Sequence, residues 1–326
     1  MWVSPLPLLM ALVCPPRVRS GPPLSRSMRF RDTNLDVAQL VNPPTDYDGV
    51  LSNDAGQVVG LWSSYAVETG RDLAQENRGV PIDGVVTMLD HVHAGTPLHS
   101  LETELIPLQL ADARQLGLSD DWLKKLVLHD STERQALMVV RMVGGSNAAN
   151  LLQQGDILLA IDGRTVTRFG EVEHAVADAP TVQVTVWRGN AAVNLTVETA
   201  ALNGLDIDRV VQWAGATLQA PQRAIAAQRG IAPSGVYVAF FTYGSPSARY
   251  GLYPGRRIVE VDGVPTPDLD AFLKAVSGRP DRSSLRLKTL NWNDADEVIT
   301  LKLDKHYFPA YEVRRTPVGW ERRLLE

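Results

Sequence analysis

The sequence predicts a mainly β protein with helices between its strands, an α+β class, and three observations carry that prediction. The first is a stretch that occurs twice. Leu137–Val166 reads LMVVRMVGGSNAANLLQQGDILLAIDGRTV, and Val236–Thr266 reads VYVAFFTYGSPSARYGLYPGRRIVEVDGVPT. Each copy runs through an apolar strand, a Gly-Ser turn (Gly145-Ser146, Gly244-Ser245) and a short helical segment of small residues. Each then reaches a glycine (Gly155, Gly255), a second apolar strand and an Asp-Gly turn (Asp162-Gly163, Asp262-Gly263). From glycine to Asp-Gly the copies keep register one hundred residues apart, and a two-copy repeat of that period indicates tandem domains rather than a solenoid. The second observation is that Ile157–Ile161 and Ile258–Val261 are short and rich in Ile, Leu and Val, as buried strands are. The Asp-Gly pair after each suits a tight hairpin that needs positive φ. The third is the alternation of Val182–Trp187, which marks a half-buried strand.

The remaining elements follow in order. Trp2–Cys14 is nearly all apolar and about the length of a signal-peptide core, too short to span a membrane. No Lys or Arg precedes it, and Pro5 and Pro7 interrupt it. Two readings stand: a secretory signal, with export only if residues 1–20 act so, or a Pro-rich disordered leader ahead of a start at Met28. Nothing in residues 1–27 has strand or helix periodicity. Tyr47–Leu51, Asn53–Gln57 and Val58–Trp62 read as strand, turn and strand. Asn77–Pro81 reads as a further strand and Ile82–Val92 as an amphipathic helix. A strand over Glu102–Leu108 precedes helices over Leu110–Leu116 and Asp120–Leu128, with Ser119 or Asp120 as N-cap. Gly170–Ala177 and Leu269–Val276 each read as a helix following an Asp-Gly turn. Val182–Trp187 turns at Arg188-Gly189-Asn190 into Val193–Val197, and Leu285–Leu290 pairs with Val298–Leu303. Tyr307–Glu326 either packs on the barrel or frays.

Composition narrows the function. The chain has 326 residues, room for two or three domains, and is 44% hydrophobic and 21% charged, as globular proteins are. A formal net charge of −5, with no basic block, argues against nucleic-acid binding. The single cysteine, Cys14, excludes an intramolecular disulfide and a thiolate metal cluster. His91, His93 and His99 lack a carboxylate or cysteine at useful spacing, so no metal and no cofactor is expected. They read as solvated histidines at the negative end of a helix.

The repeated phrases, Gly244-Ser245-Pro246 in one copy and Gly155-Asp156 in the other, each ending at Asp-Gly, resemble the PDZ domains of HtrA/Deg-type serine proteases. Asn147 replaces the family's proline in the first copy, and Arg256 its aspartate in the second. Arg29–Pro97 resembles the end of a chymotrypsin-like protease domain of that family. The nucleophilic serine there falls on Tyr47, the glycine two residues earlier on Thr45, the following glycine on Asp48 and the proline on Val50, while Gly49 and Leu51 match. A serine, a histidine base, an aspartate and oxyanion donors are what acyl transfer requires. A phenol at Tyr47 cannot stand in for that serine, and too few residues precede Arg29 to hold the half-domain carrying the histidine and aspartate. Ser52, Ser63 and Ser64 read as turn residues. The combination is similar to the C-terminal portion of double-length HtrA/Deg proteins, the nuclear-mediator-of-apoptosis type in fungi, whose second protease unit is degenerate. The implied architecture is a leader over 1–28, a partial trypsin-like barrel remnant over 29–97, PDZ-like domains over 98–200 and 201–312, and a tail over 313–326.

What the resemblance implies is a non-catalytic module that binds C-terminal or extended peptides of unfolded proteins by strand addition. It also implies association with a catalytic HtrA/Deg subunit or with another copy. The alternatives are a serine endopeptidase of that family and a partial gene product without independent role. The carboxylate-binding loop is expected at Trp213-Ala214-Gly215-Ala216, with Arg209 neutralising the carboxylate and Leu269 and Phe272 in the groove wall. Trp213 reads equally as a core aromatic. In the first copy the loop is Ser100-Leu101-Glu102-Thr103, where Glu102 opposes a carboxylate. The second copy is therefore the expected binder.

Overall fold

The computed structural model describes residues 17–20, 34–40, 48–69, 72–202, 207–291 and 295–325. It divides into two units, Met1–Arg141 with Asn150–Ala201, and Met142–Ala149 with Leu202–Glu326. It is mainly β with helices, as the sequence predicts.

The first unit opens with β1 (Arg17–Ser20), β2 (Asp36–Gln39), β3 (Gly49–Ser52), β4 (Val58–Thr69) and β5 (Asp72–Pro81), forming a five-stranded sheet in the order β1-β2-β5-β4-β3. Asn53 makes the β3–β4 turn, its Oδ1 accepting the amides of Ala55 and Gln57, both at 3.0 Å. Such Asx turns are why Asn favours these positions. Val37, Ala38 and Trp62 are buried. Helix α1 (Asp83–Ala94) follows and ends at Gly95 with φ 67°, the left-handed cap that glycine supplies. The strand β1 falls within the expected leader and pairs with β2, so residues 17–20 are part of a sheet. The apolar stretch Trp2–Cys14 and Tyr47 lie outside the described residues.

The chain continues through β6 (Leu98–Ser100), β7 (Thr103–Gln109), α2 (Leu110–Gln115), α3 (Asp120–His129), β8 (Gln135–Met142), α4 (Asn147–Leu151), β9 (Ile157–Ile161), β10 (Arg164–Thr165), α5 (Phe169–Val176), β11 (Thr181–Arg188), β12 (Ala191–Glu198) and β13 (Ala200–Leu202). The sheet order is β12-β11-β9-β8-β7, with β10 on β9, while β6 pairs with β13 in a separate two-stranded sheet among the described residues. Ser119 caps α3 by accepting the Trp122 amide. All five residues of β9 are buried, which explains their unbroken apolar run.

The second unit contains β14 (Arg209–Trp213), β15 (Ala216–Gln219), α6 (Arg223–Arg229), β16 (Val236–Phe241), α7 (Pro246–Arg249), β17 (Arg257–Val261), β18 (Val264–Pro265), α8 (Leu269–Val276), β19 (Ser284–Leu290), β20 (Asp296–Lys302), β21 (Tyr311–Thr316) and β22 (Gly319–Leu324). The order is β20-β19-β17-β16-β15-β14-β21-β22, with β18 on β17. Residues 313–326, expected as a tail, thus lie largely in a hairpin. Val313 pairs with Val210 and Trp320 with Arg315, which satisfies backbone groups that a frayed end would leave to water.

The repeat is visible in the backbone. Asp162 and Gly163 have φ 48° and 76°, and Asp262 and Gly263 have 49° and 84°, positive at both turn centres as a two-residue hairpin demands. The aspartate side chain also has one job in both copies: Asp162 Oδ1 accepts the Gln183 amide and Asp262 Oδ1 the Arg286 amide, each at 2.8 Å. Where the sequences diverge, at Asp156 and Arg256, the charges are inverted together with their partners. Asp156 holds Arg188, with the Arg188 Nε at 2.7 Å, and Arg256 holds Glu297.

Candidate functional site

A PDZ-type site needs a strand with a free edge, a helix alongside it and backbone amides that face a carboxylate. In the second copy the strand after the expected loop is β15, and both of its edges are used. One edge pairs with β16. On the other, Val211 lies opposite Leu218, Gln212 opposite Thr217 and Trp213 opposite Ala216 of β14. The cause is the turn. Ala214 and Gly215 have φ 50° and 79°, the two-residue hairpin geometry that folds β14 back onto β15.

That turn is packed against the segment that follows β16. Ala214 is 3% exposed. The Gly215 carbonyl accepts the Thr242 amide at 2.8 Å, and the Ala214 carbonyl accepts both the amide and the hydroxyl of Ser247, at 3.0 Å and 2.6 Å. A Cβ on Gly215 would stand 2.2 Å from the Ser245 Cβ. Glycine is therefore needed here for a tight turn against a serine, and the residues expected as a carboxylate loop form a two-residue hairpin between β14 and β15. Arg209 is likewise committed: its guanidinium pairs with Glu312 and, at 2.6 Å, with Asp270 at the start of α8. Burial disfavours its charge, but the two carboxylates outweigh that and raise its pKa. Trp213 meets Phe272 edge-on, ring centroids 5.2 Å apart, and Leu269 and Phe272 are buried in the same core as Ala216. These residues come together as expected, but as core with β14 laid over it. A cavity of about 260 Å3 remains, lined by Trp213, Leu273, Val276 and Leu325 among others.

The first copy is built differently. Of Leu101 and Glu102 only Glu102 has a positive φ, 53°, so the chain does not close a two-residue hairpin. Strand β6 leaves instead toward β13, and His99 donates its amide to Ala177 at the end of α5 at 2.9 Å. Strand β7 is consequently the end of its sheet path, and among the described residues no strand pairs with its outer edge. Pro107 within β7 suits such an edge. Helix α5 is held at its start: Arg168 gives Nε and Nη2 to Asp130 at 2.9 Å and 2.7 Å, and Glu171 accepts the amides of Thr167 and Arg168. Asp130, 5% exposed, also accepts the amides of Thr132 and Glu133. Burial would raise its pKa, but these hydrogen bonds and the Arg168 charge hold it below the ordinary aspartate range.

Two residues outside any motif meet this edge and the start of α5. Asn34 donates Nδ2 to the Thr103 carbonyl at 2.7 Å and accepts the Leu105 amide on Oδ1 at 2.8 Å. Asp36 accepts the Gly170 amide, in the first turn of α5, at 2.8 Å. No local pattern announces these contacts, since Asn34 lies 69 positions from Thr103.

His91 departs from expectation. It is 8% exposed, with Nδ1 3.1 Å from the Thr96 hydroxyl and Nε2 3.4 Å from Asp178, because it lies on the covered face of α1. Among the described residues no three His, Cys, Asp or Glu side chains gather as a metal site. Ser64, on β4, gives its amide to Asp48.

Residues 205–282 match the family described as PDZ-like domain. Over 92% of its length the chain is similar, at 34% identity, to Protease Do-like 7 of Arabidopsis thaliana. At 32% identity and the same coverage it is similar to the pro-apoptotic serine protease nma111 of Aspergillus oryzae. It spans 30% and 31% of the lengths of those relatives. Among solved structures, the HtrA-type protease AlgW with tripeptide matches 51% of this chain and 53% of that one at 22% identity, with a TM-score of 0.32. The likeness to HtrA/Deg serine proteases read from the repeated motifs is borne out. The expectation of a chain that is not an enzyme is overturned by the same finding, because the relatives are named as serine proteases. That expectation rested on Tyr47 and on the short stretch before Arg29. A chain covering 30% of its relative does not bound what the whole protein holds.

Proposed function

We propose that this chain serves a serine protease of the HtrA/Deg type as its substrate-recognition part, and that it does so by adding an extended peptide to the outer edge of β7 beside α5. The observation that carries this reading is the edge itself. It is unpaired by any described strand, in the copy whose repeat partner matches the PDZ-like family. The similarity to Protease Do-like 7 and to the pro-apoptotic serine protease nma111 supports the protease setting.

Glu102 refines the ligand. It is 8% exposed and occupies the sequence position that the repeat aligns with the expected carboxylate loop, where a second negative charge would be disfavoured. The preferred ligand is thus an internal extended segment, not a free C-terminus. Titrating the chain with a library of extended peptides, each as acid and as amide, tests this. Binding within about threefold for the two forms, a difference of less than about 1 kcal/mol, is the expected result. An acid preference above about tenfold would return the site to a carboxylate loop, and no peptide bound at millimolar concentration would remove the recognition role. In the whole protease, Leu105→Pro deletes the edge donor and should lower kcat/KM for a protein substrate while sparing a short chromogenic peptide.

A further inference from the structure

We infer that the β7–α5 groove is already occupied, by the chain's own Asn34–Asp36 segment, and that this segment displays the ligand class the groove takes: an extended stretch with a side-chain amide and, two residues on, a carboxylate. The inference rests on the reading of β7 as a peptide site.

The hydrogen bonds set out the argument. The Thr103 carbonyl and the Leu105 amide lie two residues apart on one strand, so both point to the same side, away from β8. An added strand would satisfy that pair with its own amide and carbonyl. Asn34 satisfies it with the amide and carbonyl of one side chain, at 2.7 Å and 2.8 Å. The Asn34 carboxamide is a one-residue imitation of strand addition. Two residues later the chain has moved along the groove to α5. There Asp36 Oδ2 accepts the Gly170 amide at 2.8 Å, where helical N–H groups lack internal partners and favour an anion. Arg168, the residue before α5, adds positive charge that the Asp36 carboxylate feels. Beyond Asp36, Val37 and Ala38 turn into the core of the first sheet at 2% and 3% exposure. The segment is thus anchored behind and reaches the groove through the side chains of Asn34 and Asp36.

This occupant can be exchanged. An intramolecular competitor lowers apparent affinity by the fraction of time the groove is open, and Asn34 just before β2 and Asp36 at its first residue hold it through side-chain hydrogen bonds. A partner with the same amide-and-acid spacing adds backbone pairing along β7 that Asn34 does not make. The partner is then an acidic extended segment that displaces the segment.

The probe is a labelled peptide of residues 33–40, TNLDVAQL, titrated into the full chain and into the variant carrying Asn34→Ala and Asp36→Ala. We expect the variant to bind at least tenfold more tightly than the native chain, as release of a largely closed site requires, and a peptide with both side chains replaced by alanine to bind neither. Equal affinity for native chain and variant overturns the self-occupancy while leaving peptide recognition standing. Binding of no peptide by either overturns both. Asp36→Asn, which keeps the shape and removes the charge, gives the same reading if the double variant melts without cooperativity, with a gain of about threefold expected and no gain counting against. Amide exchange at Leu105 and Gly170 in the native chain supplies an independent measure. Excess unlabelled TNLDVAQL should change both rates, and unchanged rates at saturation would sink the assignment.

Discussion

The two copies of the repeat solve one problem, what to do with the strand beside the helix, in opposite ways. In the second copy β14 lies along β15 residue by residue, fixed by a two-residue turn and by Arg209 between Glu312 and Asp270. In the first copy β6 leaves, and among the described residues the edge of β7 is met by the Asn34 side chain, while Asp36 meets the start of α5. The difference comes down to one turn. Ala214-Gly215 takes two positive φ values in a row, while Leu101-Glu102 takes one. It teaches that a glycine at the expected ligand loop can serve the opposite purpose, closing the site with the chain itself.

Breaking the closed copy should show the largest effect. Arg209→Ala leaves Glu312, 3% exposed, with Arg323 at 3.2 Å beside it. Removing one member of a buried pair costs about 3 kcal/mol at the lower end of the usual range, so chemical denaturation should show the second unit unfolding earlier. Gly215→Ala should cost about 2–3 kcal/mol, because the added methyl meets Ser245 at 2.2 Å on a left-handed backbone. Gly215→Glu, which a carboxylate loop would tolerate, should fare worse. In the first copy, Asp130→Asn should cost about 1–3 kcal/mol at neutral pH. Since the folded-state pKa of Asp130 is depressed, its contribution is present above the unfolded value and is lost as pH falls through the folded one, below about pH 4. A melt of the native chain should therefore fall with acid there more than that of Asp130→Asn. The smallest effect belongs to Glu102→Gly, within about 1 kcal/mol. It should not turn β6 onto β7, since Leu101 also has to adopt a positive φ. Exchange protection appearing along the outer edge of β7 would contradict that account.

Much of this was legible. The helix α8 starts and stops at Leu269 and Val276 as read, because Asp268 caps it by accepting the Ala271 amide and its buried residues recur at helical spacing. Both Asp-Gly hairpins follow from residue type alone. The meaning of Gly215 was not legible, because positive φ serves an anion-facing loop and a two-residue hairpin equally, and only Ser245 packed behind it decides. Nor were Asn34 and Asp36. Their partners lie far along the chain, and an Asn-x-Asp pair in an unpatterned stretch carries no periodicity. His91 looked like an exposed helix end because its covering residue, Asp178, comes from a distant loop. The hairpin of β21 and β22 hid in an Arg-rich segment that is mostly exposed and whose one buried residue, Glu312, is charged, so it lacks an apolar alternation.

The inverted charges described for the repeat bear on how the chain avoids tangling while it folds. Two stretches with the same turns and strand order on one polypeptide invite strands of one copy to dock into the sheet of the other, a known hazard of tandem repeats. Here such an exchange would set Arg256 against Arg188, and Asp156 against Glu297. Each correct pairing joins opposite charges instead. The mismatch penalises the wrong partner without weakening the right one, which is specificity by repulsion. Exchanging the polarity of one copy, with Asp156→Arg and Arg188→Glu together, keeps every native pair attractive and removes the penalty. Refolding from denaturant should then give a lower yield of monomer than the native sequence, at nearly unchanged stability of what does fold.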